Sequence, residues 1–394
     1  MMEFVYKCSE CGREYPIEPE TMLCSDCREK QQDNRPLRGI LEVDMKGSLP
    51  EDCSIYDVLP VEKSYFPDLP IGDTPVWKPY NLRKELGIPN LFIKDDTVNP
   101  TGSYKDRASW LVAAFARKWG INDITVASTG NAASSMAGVG AAAGLNVTIF
   151  VPENVPKAKL IQSLQYGAKV LLVKGSYDNA FQLSMQYKGA GRSINRNTGF
   201  NPLTIEGKKT VAFELYHQLK GVPDYIFVPT GDAVVLGGVI KGFKDLKKLG
   251  WIKTMPTFIA VQAEQSDALT RAFEKGDFEN PVEADTIADS ISVDVPANGY
   301  YALRELKEAG GNCIRVSDSE ILEAQKKLSS STGLFVEPSS AASLAGLLKM
   351  KQNIPEKATS VIMATGNGMK DIDAAGKGVE IPNKAIEKLE DIND

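Results

Sequence analysis

From residue 91 to residue 363, short runs rich in Val, Ile and Phe recur between longer stretches of helical character. This alternation restricts the possible folds more than any other feature. Parallel strands cannot be joined by a tight turn and need a crossover, usually a helix. Strand-like runs fall near 91–94, 124–127, 147–151, 169–173, 225–229, 257–262, 313–315 and 359–363. Helical stretches fall near 105–119, 130–143, 156–167, 178–190, 208–220, 235–249, 266–275, 299–309, 318–331 and 339–351. An α/β protein with mostly parallel open sheets is expected. Such sheets bind ligands beyond the C-terminal ends of their strands. With 394 residues, the chain has room for about two or three domains.

Residues 1–40 read as a separate unit. Cys8-Ser-Glu-Cys11 and Cys24-Ser-Asp-Cys27 are two CxxC pairs separated by twelve residues. So short a segment buries little core and needs a staple, which four thiolates around Zn²⁺ would supply. Four sulfurs leave no open position on the metal, so a structural zinc-ribbon-like unit is expected, with Cys8, Cys11, Cys24 and Cys27 as ligands. Cys53 and Cys313 stand alone, which does not suit a disulfide framework. A reducing cytoplasm is the expected location.

A net charge of -6 gives no support for binding nucleic acid or an anionic membrane through bulk charge. The uncharged stretch from Ala132 to Val151 is long enough to imitate a membrane span. It is interrupted by Gly138, Gly140, Gly144 and Asn146 and then turns β-branched, so a small-residue helix followed by a buried strand is expected. His217 is the only histidine, which disfavours a Ser-His-Asp triad or a His-rich metal centre.

Four loops carry candidate chemistry. Asn99-Pro100-Thr101-Gly102-Ser103-Tyr104-Lys105-Asp106-Arg107 runs straight into a helix, placing Lys105 in its first turn. A positive dipole end disfavours an ammonium there and favours imine chemistry, although a first-turn lysine can equally be a solvated surface charge. Ser128-Thr129-Gly130-Asn131 follows a strand and opens a helix. Its free N–H groups suit an anion, and ordinary N-capping would also explain it. Thr230-Gly231-Asp232-Ala233 is a second anion cradle of the same kind, and Thr365-Gly366-Asn367-Gly368 follows the last strand. No GxGxxG or Walker A pattern follows the first strand, against a nucleotide-binding reading.

NPTGSYKDR at 99–107, ASTGNAASS at 127–135, VPENVPKAKLIQSLQYGA at 151–168, EPSSAAS at 337–343 and TGNGMKD at 365–371 together resemble the threonine synthase family. That family lies within the fold-type II enzymes of pyridoxal 5′-phosphate (PLP), the tryptophan synthase β-subunit group. The resemblance covers roughly residues 70–375 and implies a lyase acting on a small amino-acid substrate. It implies that Lys105 holds the cofactor as an imine and shuttles protons. Asn131 would bond the 3′-hydroxyl of the cofactor ring. Gly231, Asp232, Ala233, Val234 and Val235 would hold its phosphate, and Thr365 would meet the ring nitrogen. Ser128, Thr129, Gly130 and Asn131 would grip the substrate carboxylate.

The implied organisation is a zinc unit at 1–40, a large PLP-binding domain from 41–108 and 192–384, a small α/β domain at 109–191 and a polar tail at 385–394. A homodimer is expected for the fold. Threonine synthase chemistry, O-phosphohomoserine and water to threonine and phosphate, is the leading expectation. A paralogue is the alternative, either a cysteate-synthase-like β-replacing enzyme or an ammonia-lyase or dehydratase. A regulatory protein on a degenerate scaffold is a further alternative, opposed by the intact NPTGSYKDR.

Several positions depart from the family pattern. Ala132 stands where a threonine usually helps hold the substrate phosphate, and Gln182 stands where a basic residue is usual. The cofactor loop is poorer in Gly and Asn than is usual. Asp232 would repel a phosphate unless its side chain turns to cap the helix. Ala288–Val293 is closer to a deaminase-type segment.

Overall fold

The computed structural model describes residues 2–187, 189, 191–383 and 385–387; the rest of the polar tail, 388–394, lies outside the described residues. At the N-terminus, β1 (Glu3–Cys8) pairs antiparallel with β2 (Glu14–Tyr15) and with β3 (Leu41–Lys46). β3 alternates buried and partly exposed residues, as a strand with one covered face must. The register Glu3↔Lys46 to Cys8↔Leu41 uses residues that the sequence placed beyond the zinc unit.

Next come β4 (Val76–Trp77) and β5 (Leu91–Asp95). They are followed by β6 (Asp123–Ala127), β7 (Asn146–Pro152), β8 (Lys169–Val173) and β9 (Ser193–Asn195). The last strands are β10 (Tyr225–Pro229), β11 (Thr257–Ala263), β12 (Asn312–Val316) and β13 (Ser360–Ala364). Two sheets result, ordered β12-β11-β10-β13-β5-β4 and β8-β7-β6-β9. All their pairs are parallel except β4 with β5. The central strands are buried on both faces, which is why they read as unbroken apolar runs.

The helices are α1 (Tyr80–Leu86), α2 (Lys105–Lys118), α3 (Asn131–Ala143), α4 (Lys157–Gln165), α5 (Tyr177–Gln186), α6 (Leu203–Lys208) and α7 (Thr210–Leu219). They continue with α8 (Val234–Lys248), α9 (Ala268–Lys275), α10 (Gly299–Glu308), α11 (Asp318–Thr332), α12 (Pro338–Met350) and α13 (Ile372–Gly376). The helix expected at 208–220 is α7; the unexpected α6 precedes it, and the two meet at Lys209, whose N–H is shared between the Ile205 and Glu206 carbonyls. Elements that the sequence did not predict, among them β4, β9, α1, α6 and α13, are short. The stretch 132–151 is α3 followed by β7, and no helix among the described residues is long and apolar enough to cross a membrane.

α6 packs on α2 at Gly207, where an added Cβ would lie 2.3 Å from the Arg107 carbonyl oxygen. This close approach brings α6 beneath the residues that lead into α2.

Candidate functional site

α2 begins at Lys105, and the loop ahead of it is held on both sides. The Tyr104 N–H donates to the Thr365 carbonyl at 2.8 Å, and the Asn367 N–H donates to the Gly102 carbonyl at 2.9 Å. The loop after β13 is therefore stitched along the loop before Lys105. The Glu337 N–H donates to the Gly366 carbonyl at 3.0 Å and brings the head of α12 to the same place. Asp106 turns back to accept from the Thr101 N–H at 2.8 Å and from its hydroxyl. Arg107 is buried and donates to Asp96 and Glu214, anchoring the first turn from below.

Three helix heads converge on this loop. The Lys105 Nζ lies 3.7 Å from Asp232 Oδ2, at the head of α8. Asp232 directs its other oxygen to the Val234 N–H at 3.0 Å, so the side chain does cap the helix. Ala233 adopts a left-handed φ of 64°, which costs a non-glycine residue about 1 kcal/mol and turns the chain sharply into α8. Gly231 admits no side chain, because a Cβ would come within 2.6 Å of the Ile291 Cα. Apart from the capped Val234, the first-turn N–H groups of α8, Val235 included, have no intrahelical partner. Burial opposes the charge on Asp232, but Lys105 and then Lys208 more than offset it, so its carboxyl sits below the usual range.

At the head of α3, the Gly130 N–H donates to Ser128 Oγ at 3.2 Å. Ser128 and Thr129 are half-buried. The Asn131 amide donates to both Glu337 oxygens, at 3.1 and 2.9 Å, and to Ser290 Oγ at 3.2 Å. Its amide hydrogens are thus directed to the carboxylate, whose pKa burial pushes above the usual range. The Thr365 N–H donates to Ser340 Oγ at 2.8 Å, and its side chain is half-buried.

Lys105, Asp232, Asn131 and Thr365 therefore meet in one place. Gln182 is exposed on α5, and Ala132 is half-buried beside Asn131. His217 is exposed and stacks near Tyr216 and Trp251.

Sequence reading did not single out Glu337, Arg196 or Lys208. Glu337 had a signal, since it heads the EPSSAAS motif. The two cations had none. Arg196 is fully buried and donates only to neutral acceptors, Ser109 Oγ, Thr198 Oγ1 and the Lys105 carbonyl. Burial holds its pKa down to about 10. Lys208 is also fully buried and makes no ion pair among the described residues. Burial, then Lys105 and Arg196, hold its ammonium well below the usual lysine range.

The donor set thus joins free helix-head amides to Lys105 and two buried basic side chains, with Asp232 the carboxylate that acts on both. It fits an anionic ligand carrying a carbonyl group, as PLP does. The buried Ser103 hydroxyl, two residues before Lys105, has no partner.

The four N-terminal sulfurs lie within 4.8 Å of one another, and Cys11 Sγ is 3.7 Å from Cys24 Sγ. A tetrahedron with metal–sulfur bonds of about 2.3 Å has edges of about 3.8 Å, so the cluster is consistent with a zinc ribbon.

Fold and site together define a pyridoxal-phosphate dependent enzyme, and residues 68–366 match that family. Nearly the whole chain is similar to curated threonine synthases. It is 35% identical to the threonine synthase of Methanocaldococcus jannaschii, over 96% of both chains. It is 36% identical to that of Methanosarcina acetivorans, over 93% of this chain and 92% of the relative. The chain belongs to the threonine synthase family of fold-type II PLP enzymes. Among solved structures, threonine deaminase isoform 2 of Solanum lycopersicum shares the fold with a TM-score of 0.68 at 23% identity, covering 82% of this chain and 90% of that one. Maize serine racemase does so with a TM-score of 0.66 at 22% identity, covering 76% and 88%.

Proposed function

We propose that this chain carries out PLP-dependent elimination and addition on O-phosphohomoserine, releasing threonine and phosphate. The likeness to threonine synthases along nearly the full length of both chains carries the reading. Bound PLP would supply an electron sink for the carbanion left when the α-proton departs.

The chain's own residues do the rest. Lys105 would hold the cofactor and move the α-proton. Its first-turn position and the clamped loop from Thr101 to Asp106 fix where that proton goes. The amides at the head of α3, from Ser128 to Asn131, orient the substrate carboxylate. Those from Gly231 to Val235 would hold the cofactor phosphate, and the Thr365 hydroxyl would serve the ring nitrogen. A hydroxyl is far less acidic than a carboxylic acid and would leave that nitrogen unprotonated, which would favour elimination and replacement over transamination. The four N-terminal cysteines would hold a structural zinc ion.

Ala132 and Gln182 favour a second reading, a paralogue with another leaving group. Neither side chain offers a cation to a substrate phosphate, and Gln182 points into solvent. One titration separates the readings. The purified yellow protein is titrated with O-phosphohomoserine, O-phosphoserine, threonine, serine and 2,3-diaminopropionate while absorbance and products are followed. A spectral response to O-phosphohomoserine, with threonine and phosphate formed, supports the first. A response confined to other amino acids rejects it for the second.

A further inference from the structure

The cradle at the head of α8 contains an electrostatic contradiction. Asp232 caps α8 with one oxygen only, and its other oxygen, 3.7 Å from the Lys105 Nζ, leaves a carboxylate in the loop assigned to a phosphate. Some positive charge must compensate. Lys105 lies closest, but the cofactor assignment commits its amine to the cofactor's carbonyl.

Lys208 is placed to do it. It closes α6, and its Cβ would lie 2.6 Å from a Cβ added to Gly238, just past the first turn of α8. Its backbone carbonyl accepts from the Tyr104 hydroxyl at 2.6 Å, directly ahead of Lys105. Its ammonium reaches back to the Thr204 carbonyl at 3.3 Å. The Thr204 hydroxyl accepts from the Gly199 N–H, and Gly199 packs on Ala297 and Asn298. Asn298 in turn donates its N–H to the Asp232 carbonyl at 3.0 Å and its amide to the Ala233 carbonyl at 3.4 Å. The lysine head is therefore tied, through Thr204, Gly199 and Asn298, to the turn that builds the head of α8.

Its environment is incomplete as it stands. The side chain is fully buried, yet the ammonium makes a single hydrogen bond and no ion pair among the described residues. The other buried lysines, Lys209 just after α6, Lys241 in α8 and Lys94 in β5, are served differently: Lys209 and Lys241 pair with Asp245, and Lys94 pairs with Glu214. A buried ammonium without a counter-ion is expensive, and a ligand anion is the way this one gains a partner.

We propose that Lys208 is the buried counter-charge for the cofactor phosphate, offsetting Asp232 at the head of α8. This rests on the PLP reading above and adds a ligand that the helix-head amides do not supply.

The test uses the full-length protein stripped of cofactor, as wild type, Lys208→Met, Lys208→Gln and Asp232→Asn. Dissociation constants for PLP and for pyridoxal, which lacks the phosphate, are read from the visible absorbance of the bound form. A charge-assisted hydrogen bond is worth roughly tenfold to a hundredfold in affinity. Both Lys208 variants are expected to weaken PLP by that factor and to leave pyridoxal within about twofold. Asp232→Asn keeps the cap acceptor and removes the repulsion, so it should tighten PLP.

Unchanged PLP affinity in the Lys208 variants overturns the proposal. So does an equal loss for PLP and pyridoxal, which would reflect a damaged site. An unchanged PLP constant with a raised KM for phosphorylated substrate would assign the charge to the substrate and overturn it too. A wild-type protein that takes up neither compound refutes the PLP reading itself.

Discussion

Neutralising Glu214 tests the support beneath the lysine loop. Glu214 accepts from Arg107 Nη1 and Nη2, from Lys94 Nζ at 2.6 Å and from the Asp73 N–H at 2.9 Å. Burial opposes its charge, but Arg107 and then Lys94 overcome this and bring its pKa down to about 2 from the ordinary 4.5. One pKa unit is worth about 1.4 kcal/mol, so the folded environment contributes about 3 kcal/mol through this carboxylate. Breaking a buried pair costs about 3–5 kcal/mol on independent grounds. Glu214→Gln is therefore expected to lose about 3 kcal/mol at pH 7, read by urea denaturation followed by tryptophan fluorescence. The pKa is depressed in the folded state. The stabilisation is thus complete above the unfolded value and disappears as pH falls from about 4.5 towards 2. Over that window the wild type should approach the variant. A loss below about 1 kcal/mol at pH 7, or two pH profiles that stay parallel down to pH 3, would refute the reasoning.

Lys105→Ala should remove the cofactor's imine absorbance and turnover while the circular dichroism stays native, and retained turnover would displace Lys105 from its role. Freshly purified protein should carry about one zinc per chain at Cys8, Cys11, Cys24 and Cys27, whereas metal-free protein with four titratable N-terminal thiols would rule that out. Gly207→Ala drives a methyl group against the Arg107 carbonyl and should cost about 1–3 kcal/mol despite the better helix propensity of Ala. A neutral or stabilising effect in urea denaturation would mean that α6 and α2 can separate cheaply.

The parts legible in the sequence were those with local causes. β10, β11 and β13 announced themselves because a strand buried on both faces must be apolar throughout. The head of α2 was visible because Pro100 and Gly102 end one conformation and begin another. The cysteine cluster was visible because each CxxC turn presents its two sulfurs together, and the structure brings both pairs to one point. Short elements such as β9 and α1 carry too few residues to establish a period, and β3 was missed because its partner strand is β1, more than thirty residues earlier.

Only tertiary structure decided which charges face one another. Asn131 meets Glu337 across 206 positions, and Lys105 meets Asp232 across more than a hundred. Lys208 and Lys209 are adjacent in the sequence, and nothing in their local pattern separates them. Yet one pairs with Asp245 while the other is buried against α8 and makes no ion pair among the described residues. The helical period sends neighbouring side chains in different directions, and the packing of α6 between α2 and α8 determines what each one meets. Residue type and spacing therefore determined the α/β class, the lysine loop and the cysteine staple. The electrostatics of the site arose from contacts between segments far apart in the chain, where burial sets the strength of each charge.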